Sequence, residues 1–211
     1  MLSAFAALAF AAASVGSLHS LAPDHWVPFT ALARARGWTR ARTARVTLLC
    51  GFGHVTVSVA LGLAGLWVGS AVMQSLGRRM ESVAGILLVG FGFAYGAWGL
   101  RGVVLRRLPS HAHPHGAGSR LTAWTLFLLF CADPCVAVVP IVFAAAPLGP
   151  WGAAGVVVVY EAATLGTMVA MVLLAQAGVA GLRARWIDRY GDSAAGGLIA
   201  ATGLLLIAVG I

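Results

Sequence analysis

The chain has 211 residues, of which 60% are hydrophobic and only 9% are charged, and its formal net charge is +8. Soluble domains carry about 25% charged residues, so this composition excludes an ordinary soluble domain and indicates an integral membrane protein. All fourteen basic residues are arginines, and all but two of them, Arg45 and Arg101 at the ends of apolar runs, lie between those runs. Because no basic face interleaved with aromatic residues appears, we expect no nucleic-acid partner.

Six apolar runs are each long enough to cross a bilayer, which takes about 20 residues of helix. The runs cover residues 3–30, 45–69, 82–104, 121–147, 150–178 and 192–211. They predict an all-α integral membrane protein whose six transmembrane helices form a single transmembrane domain over residues 1–211. The first run lacks the positively charged start of a signal peptide, so we expect it to be retained as the first helix. The pairs Gly65/Gly69 and Gly92/Gly96 have the spacing that favours close helix packing in lipid.

The connections between these runs differ in their arginine content. The first, third and fifth connections hold Arg34, Arg36, Arg40, Arg42, Arg45, Arg106, Arg107, Arg120, Arg183, Arg185 and Arg189. The second holds only Arg78 and Arg79, and the fourth holds none. Since arginine and lysine are enriched in cytoplasmic loops, we expect the odd-numbered connections in the cytoplasm. Both termini would then lie outside, in the plasma membrane of a bacterium or an archaeon.

The two halves of the chain carry similar proline-containing motifs. PDHWVP lies near the end of the first apolar run, and FCADPCVAVVP lies in the fourth. The residue before a proline avoids helical geometry, so Pro23 is expected to break helix 1, and Pro134 and Pro140 to break helix 4. We therefore predict two inverted three-helix repeats, an arrangement typical of secondary transporters. The repeats would cover residues 1–105 and 121–211, joined by a loop over 106–120.

Ionisable side chains at membrane depth indicate a bound cation. Asp24, Asp133 and Glu161 fall within or near the apolar runs, where an ionised carboxylate costs about 2.5–3.5 kcal/mol. Asp24 is followed by His54 in the next run, as Cys135 is followed by Glu161. The neighbouring imidazoles and thiols suit borderline or soft divalent metals. The candidate metal ligands are His19, Asp24, His25, His54, Cys131, Asp133, Cys135 and Glu161.

The remaining polar residues have simpler interpretations. Cys50 has no polar neighbour and is expected to fill space among apolar side chains. Glu81, Asp188 and Asp192 lie near the ends of apolar runs and are expected in solvent. The third connection contains the sequence HAHPH, which is typical of loose metal capture and equally of a solvated linker. Its histidines are His111, His113 and His115.

The H-x4-D-H motif formed by His19, Asp24 and His25 resembles the signature of the nickel/cobalt transporter families, the NiCoT and NicO-like permeases. The stretch GFGHVTVS around His54 is similar to a second motif of those families. The resemblance covers about the first third of the chain. It implies a secondary metal permease with these four residues at the metal site. NiCoT proteins have eight spans with the motif in the second, so six spans with the motif in the first are closer to the NicO-like arrangement.

The second half resembles a different family of the same broad superfamily. DPCVAVVP is similar to the Pro-Cys motif of CcdA-type thiol–disulfide transporters. This resemblance implies an alternative function, the transfer of reducing equivalents across the membrane by Cys131 and Cys135. Each half of those proteins supplies one reactive cysteine, whereas the first half here has Asp24 and His25 at that position. Helical geometry also makes a disulfide between residues four apart awkward.

The sequence thus predicts a secondary transporter rather than an enzyme, with no catalytic or cofactor-binding residues. Its substrate would be a divalent transition metal, nickel or cobalt foremost, with zinc, copper and iron as alternatives. The metal would cross at a midplane site by alternating access. Metal ligands bind in their deprotonated form, so protons should compete with the metal. The expected partners are the metal ion and the bilayer, no ATPase domain is expected in this chain, and a homo-oligomer remains open.

Overall fold

The computed structural model describes residues 2–105, 117–133, 135, 137–180 and 185–209. The regular structure of these residues is helical throughout. The helices are α1 (Leu2–His19), α2 (Pro23–Ala35), α3 (Arg40–Val68), α4 (Ser70–Leu105), α5 (Ala117–Cys131), α6 (Val138–Ala145), α7 (Gly149–Ala180) and α8 (Arg185–Val209), with a 3-10 turn at Ala146–Leu148. The predicted all-α fold is confirmed.

Five segments of the described chain are long and apolar enough to cross a membrane. They are Leu2–His19, Arg40–Val68, Ser82–Val104, Val138–Gly178 and Tyr190–Val209. The predicted fourth run is divided between α5, with 15 residues, and α6, with 8. Each is shorter than the roughly 20 residues that a span takes. The length and apolarity of the helices are those of a membrane protein.

The first predicted span is two helices with a break at Ser20–Ala22. Pro23 has no N–H to donate to the His19 carbonyl, as the fourth residue along a helix normally does. That carbonyl accepts instead from the Ala22 N–H at 3.0 Å. Ala22 is extended, with φ −60° and ψ 139°, and Pro23 then occupies the first position of α2, where its ring is tolerated. The break predicted at Pro23 is confirmed.

The second break, between α5 and α6, also follows a residue that stands four positions before a proline. Phe130 stands four residues before Pro134, so its carbonyl also loses the usual helical donor. The Asp133 N–H approaches it at 3.3 Å; Pro134 itself lies outside the described residues. Pro140 does not break the chain, because it lies in the first turn of α6, where the N–H has no helical acceptor.

Each broken helix runs beside the middle helix of the other half of the chain. The pair α1–α2 follows α7 in the same direction. Gly16 lies against Tyr160, where an added Cβ would be 2.9 Å from the Tyr160 carbonyl oxygen. Further along, the Gln176 side chain donates to the Trp38 carbonyl at 2.9 Å. The chain therefore runs along the same helix, α7, both before and after the break between α1 and α2.

The pair α5–α6 follows α3 in the corresponding way. A Cβ added to Gly53 would lie 2.8 Å from the ring of Phe127, and one added to Gly62 would lie 3.1 Å from Val142. Residue numbers rise together along both elements, so the two run in the same direction. The two broken helices thus have equivalent positions, each against a long helix of the opposite half.

The remaining pair, α4 and α8, packs antiparallel through glycines. A Cβ added to Gly92 would lie 2.6 Å from the Gly196 carbonyl oxygen, and one on Gly96 would lie 3.4 Å from that of Ser193. Close packing predicted for Gly92/Gly96 is confirmed. For Gly69 it is wrong: this residue ends α3 with φ 101° and has no atom within 4 Å of an added Cβ. Its left-handed backbone terminates a helix.

The buried apolar side chains form two clusters. The first, which we name the Trp38 cluster, contains Phe29, Ala31, Leu32, Ala33, Trp38, Cys50, Leu88, Tyr95, Leu126, Phe130, Met168, Val172, Ala195 and Ile199. The second, the Ala12 cluster, contains Ala12, Val55, Cys135, Val138, Ile141, Val142, Ala145, Val156 and Tyr160. On α3, Cys50 belongs to the Trp38 cluster and Val55 to the Ala12 cluster. On α7, Met168 belongs to the Trp38 cluster and Tyr160 to the Ala12 cluster. The two helix breaks therefore lie in a layer between the clusters.

The glycine-lined contact between α4 and α8 predicts a sharp difference between two neighbouring substitutions. Gly196→Ala adds a methyl group against the backbone of α4, and such overpacking costs about 1–3 kcal/mol. At Gly197, on the exposed face of the same helix, an added Cβ meets no atom within 4 Å. Thermal unfolding in detergent should therefore show a lower melting temperature for Gly196→Ala and no decrease for Gly197→Ala. Equal losses would contradict the packing of α4 on α8.

Candidate metal site

Three histidine rings meet at the first helix break. His19 is the last residue of α1, His25 lies in the first turn of α2, and His54 lies in the middle of α3. The ring centroids are 4.4 Å apart for His19 and His25, 5.3 Å for His25 and His54, and 6.3 Å for His19 and His54. One nitrogen of each ring lies within 4.8 Å of the other two. In a tetrahedral site with metal–nitrogen bonds of about 2.1 Å, such nitrogens are about 3.4 Å apart, so modest ring rotations would suffice.

The break is what brings His19 and His25 together. Residues six apart in a continuous helix point to different faces, because the helix turns about 100° per residue. Unwinding at Ser20–Ala22 redirects the chain before α2 begins, and the two rings then meet edge to face. The two histidines of the motif therefore meet only because the helix is interrupted before Pro23.

His54 is held in one tautomer by the second break. Its Nδ1 lies 3.2 Å from the carbonyl oxygen of Phe130. A carbonyl can only accept, so Nδ1 carries the hydrogen and donates it. The other nitrogen, Nε2, then presents a lone pair, as a metal-binding imidazole requires. Sequence reasoning missed the Phe130 carbonyl, although the position of Pro134 four residues later was the available signal.

Five buried polar atoms at this site have no hydrogen-bond partner. They are Nε2 of His19, both ring nitrogens of His25, Nε2 of His54 and Oδ1 of Asp24. Buried polar atoms are nearly always paired, and each unpaired one costs about 1–3 kcal/mol. Five of them on neighbouring side chains are best explained by a ligand that binds imidazole nitrogens and a carboxylate oxygen.

Asp24 supplies the negative charge of the group. Its Oδ2 lies 3.0 Å from His25 Nδ1, at ion-pair distance but without hydrogen-bond alignment. Asp24 is 8% exposed, and His25 and His54 are each 2% exposed. The walls are aromatic, since the Phe130 ring lies edge-on to both histidines at 6.4 and 6.2 Å. Low exposure and apolar walls strengthen the attraction between this carboxylate and any cation.

The four candidate ligands of the second half lie around this group, not in it. Among the described residues, the set whose donor atoms lie within 4.8 Å of one another consists of the three histidines. Asp133 is near enough to interact electrostatically with His25. Cys131 faces α3 next to His54, with its Sγ 2.7 Å from a Cβ added to Gly53. Glu161 is partly exposed on α7.

Cys135 has two short contacts in the Ala12 cluster. Its Sγ lies 2.6 Å from the Tyr160 hydroxyl oxygen, and its N–H donates to Ser58 Oγ at 2.6 Å. Ser58 in turn donates to the His54 carbonyl at 2.7 Å. The structure thus pairs Cys135 with Tyr160, although the sequence associated it with Glu161. The two α7 residues are adjacent and therefore face different directions.

A second polar group lies at the other end of α2. Arg36 donates from Nε to the Tyr95 hydroxyl at 2.7 Å, and that hydroxyl donates to Asp192 Oδ1 at 2.6 Å. Asp192 was expected in solvent; its side chain is 32% exposed, and it also accepts the Tyr95 hydrogen bond because its face of α8 is turned toward α2 and α4. Cys50 packs in the Trp38 cluster, as predicted. The side chains of Glu81 and Asp188, and all of His111, His113 and His115, lie outside the described part of the chain.

The unpartnered nitrogens predict an unusual effect on stability. His19→Phe keeps the ring contact with His25 and removes a buried, unpaired Nε2, so the metal-free protein should melt at the same temperature or higher. Ser58→Ala removes a buried hydroxyl with two partners, leaves the Cys135 N–H unpaired and should cost about 1–3 kcal/mol. Thermal unfolding in a chelator would compare them. An equal loss in His19→Phe would show that the imidazole has a structural role.

Comparison with known proteins gives no further assignment for this site. The chain matches no family model, no curated protein and no solved structure. The similarity of the His19–His25 motif to nickel/cobalt permeases therefore remains a resemblance of short motifs. The function has to be inferred from the geometry and chemistry of the site.

Proposed function

We propose that this protein is a secondary transporter for a divalent transition-metal ion, with nickel or cobalt as the foremost substrates. One observation carries the proposal: the unpartnered Nε2 atoms of His19, His25 and His54, which are grouped at a helix break. Three neutral nitrogens with an adjoining carboxylate suit borderline divalent ions, including zinc. Calcium or magnesium would call for a shell of oxygen ligands.

The position of the site supports transport rather than storage. Non-helical backbone at membrane depth is tolerated where it is buried in protein or lines a cavity, and broken helices at equivalent positions are typical of transporter binding sites. Here the order of one broken and two long helices occurs twice. We therefore infer six crossings in two inverted three-helix repeats. The arginine-rich connections would lie in the cytoplasm, and both termini outside.

Binding would use the three lone pairs directly. The Phe130 carbonyl fixes the ring of His54, and Asp24, beside His25 Nδ1, would offset part of the metal's charge. Asp133 adds negative potential from the second break. Because a protonated imidazole has no lone pair for a metal, the ion and protons would occupy the same nitrogens. Alternating exposure of this layer to the two sides would complete transport.

The thiol–disulfide alternative has no comparable support among the described residues. No disulfide joins Cys131 and Cys135. Cys131 lies against Gly53, whereas Cys135 bonds with Tyr160, so the two sulfurs have separate environments. A redox role would require them, or a partner thiol, to meet in a disulfide geometry.

Metal binding should be measured in a chain whose loop histidines are removed. His111→Ala, His113→Ala and His115→Ala together exclude metal held by HAHPH, so any ion found by mass spectrometry of the purified protein comes from elsewhere. In this background we expect about one nickel or cobalt ion per chain at saturation. His25→Ala should lose it, because it removes one of the three grouped nitrogens.

Two carboxylate variants provide a matched control. Asp24→Asn should weaken binding at least tenfold, because it removes the site's charge. Asp192→Asn, an identical change outside the site, should retain it. Full binding by His25→Ala, or equal losses in both asparagine variants, would contradict the proposal.

Proton competition gives a second test. Metal affinity should fall as the pH falls, by about tenfold per pH unit for each proton displaced. Calorimetric titrations in buffers of different ionisation enthalpy would count the protons released. An affinity independent of pH down to the lowest pH at which the protein stays folded would argue against imidazole ligands.

A further inference from the structure

The histidine group is closed off in both directions along the bundle. The Trp38 cluster lies on one side of it and the Ala12 cluster on the other. Phe29 and Phe130, with ring centroids 4.7 Å apart, adjoin the site within the Trp38 cluster. An ion at the site would have to pass one of these two apolar clusters to leave.

A buried polar contact lies in the Ala12 cluster, and we name it the Cys135 network. It consists of Cys135 with its two partners, the Tyr160 hydroxyl and Ser58 Oγ, both at 2.6 Å. Tyr160 and Ser58 are fully buried, and Cys135 is 2% exposed. The network joins the second break to α7 of its own half and to α3 of the other half.

A similar contact lies at the end of the Trp38 cluster, and we name it the Arg36 network. The Tyr95 hydroxyl stands between Arg36 Nε and Asp192 Oδ1, which are themselves 3.6 Å apart. The guanidinium also covers the Trp98 ring, 4.7 Å from its centroid. This network joins the end of α2 to α4 of the same half and to α8 of the other half.

The two networks have three features in common. Each ties a broken helix to long helices of both halves, each lies on its own side of the histidine group, and each includes one tyrosine hydroxyl. The first broken helix carries Asp24 and His25 in the first turn of α2, and the second carries the Phe130 carbonyl that accepts from His54. Separation of either network would let a broken helix move away from one apolar cluster while the other cluster stays packed.

We propose that the Cys135 network and the Arg36 network close two opposing gates of the histidine site, which open alternately. The proposal rests on the transport function inferred above and deepens it by naming the residues that control access. Only one network separates at a time. While one broken helix is released, the other network has to hold the second broken helix against the long helices. Weakening one network therefore opens its own gate and keeps the opposite gate closed for more of the time.

Two native cysteines report on the two gates without further engineering. Cys50 is buried in the Trp38 cluster and Cys135 in the Ala12 cluster. A membrane-impermeant maleimide is added to one face of metal-free vesicles at a time, and labelling of each cysteine is quantified by peptide mass spectrometry. Protease access to an N-terminal tag identifies the face. We expect Cys135 to react only from the face that carries the N-terminus, and Cys50 only from the opposite face.

The matched variants Tyr95→Phe and Tyr160→Phe each remove a single hydroxyl. Tyr95→Phe should increase labelling of Cys50 by about two- to tenfold, as the loss of one or two hydrogen bonds implies, and decrease labelling of Cys135. Tyr160→Phe should decrease labelling of Cys50. In each variant, the labelling of the cysteine at the unmodified network should fall. A general loss of packing would instead increase labelling of both cysteines.

The outcomes that overturn the gates are distinct from failure of metal binding. Labelling of both cysteines from one face, parallel changes in both, or no change in either variant would each reject the proposal. So would the absence of labelling in folded protein when denatured protein reacts. Because these assays contain no metal, opposite-face labelling would stand even if no ion bound the histidines. Bound metal with same-face labelling would retain the site and reject the gates.

Discussion

The missing N–H of proline is the constraint on which the rest of this structure depends. Pro23 and Pro134 each leave a carbonyl four residues earlier without its helical donor. In lipid such a defect is tolerated only inside protein, so both breaks must be enclosed. The packing meets that need by placing each broken helix against the middle helix of the opposite half. One of the two freed carbonyls, that of Phe130, then becomes the acceptor that orients His54.

The enclosure is apolar on both sides and polar only in a thin layer. Two clusters of buried side chains exclude water from the histidines, and the glycine-lined contact of α4 with α8 lets the outer helices approach closely. In such surroundings an unpaired imidazole nitrogen or carboxylate oxygen lowers the stability of the folded protein. The fold therefore keeps a local cost at Asp24 and the three histidines while the surrounding contacts remain well packed, a pattern expected where function opposes stability.

The sequence was sufficient for the helical, apolar character of the chain and for the grouping of His19, His25 and His54. Apolar length identified the helices, Pro23 marked the first break, and the spacing of His19, Asp24 and His25 with His54 marked the site. What it could not supply was the rotation of each helix about its axis. In membrane helices both the lipid-facing and the protein-facing surfaces are apolar, so a periodic pattern is weak. For that reason the partners of Cys135 and Asp192 were not predicted. Gly69 was misassigned because spacing alone does not distinguish a packing glycine from a helix terminus.

The hydrogen bond from His54 to the Phe130 carbonyl would give an ion at the proposed site an influence beyond its own ligands. A cation on Nε2 withdraws electron density from the imidazole and makes its Nδ1–H a stronger donor. The charge of the ion is thereby felt by the backbone of the C-terminal half, although the ring belongs to the N-terminal half. An ion bound to His54 would therefore change a hydrogen bond to the chain where α5 ends, and the two halves would need no shared ligand to respond to the same ion.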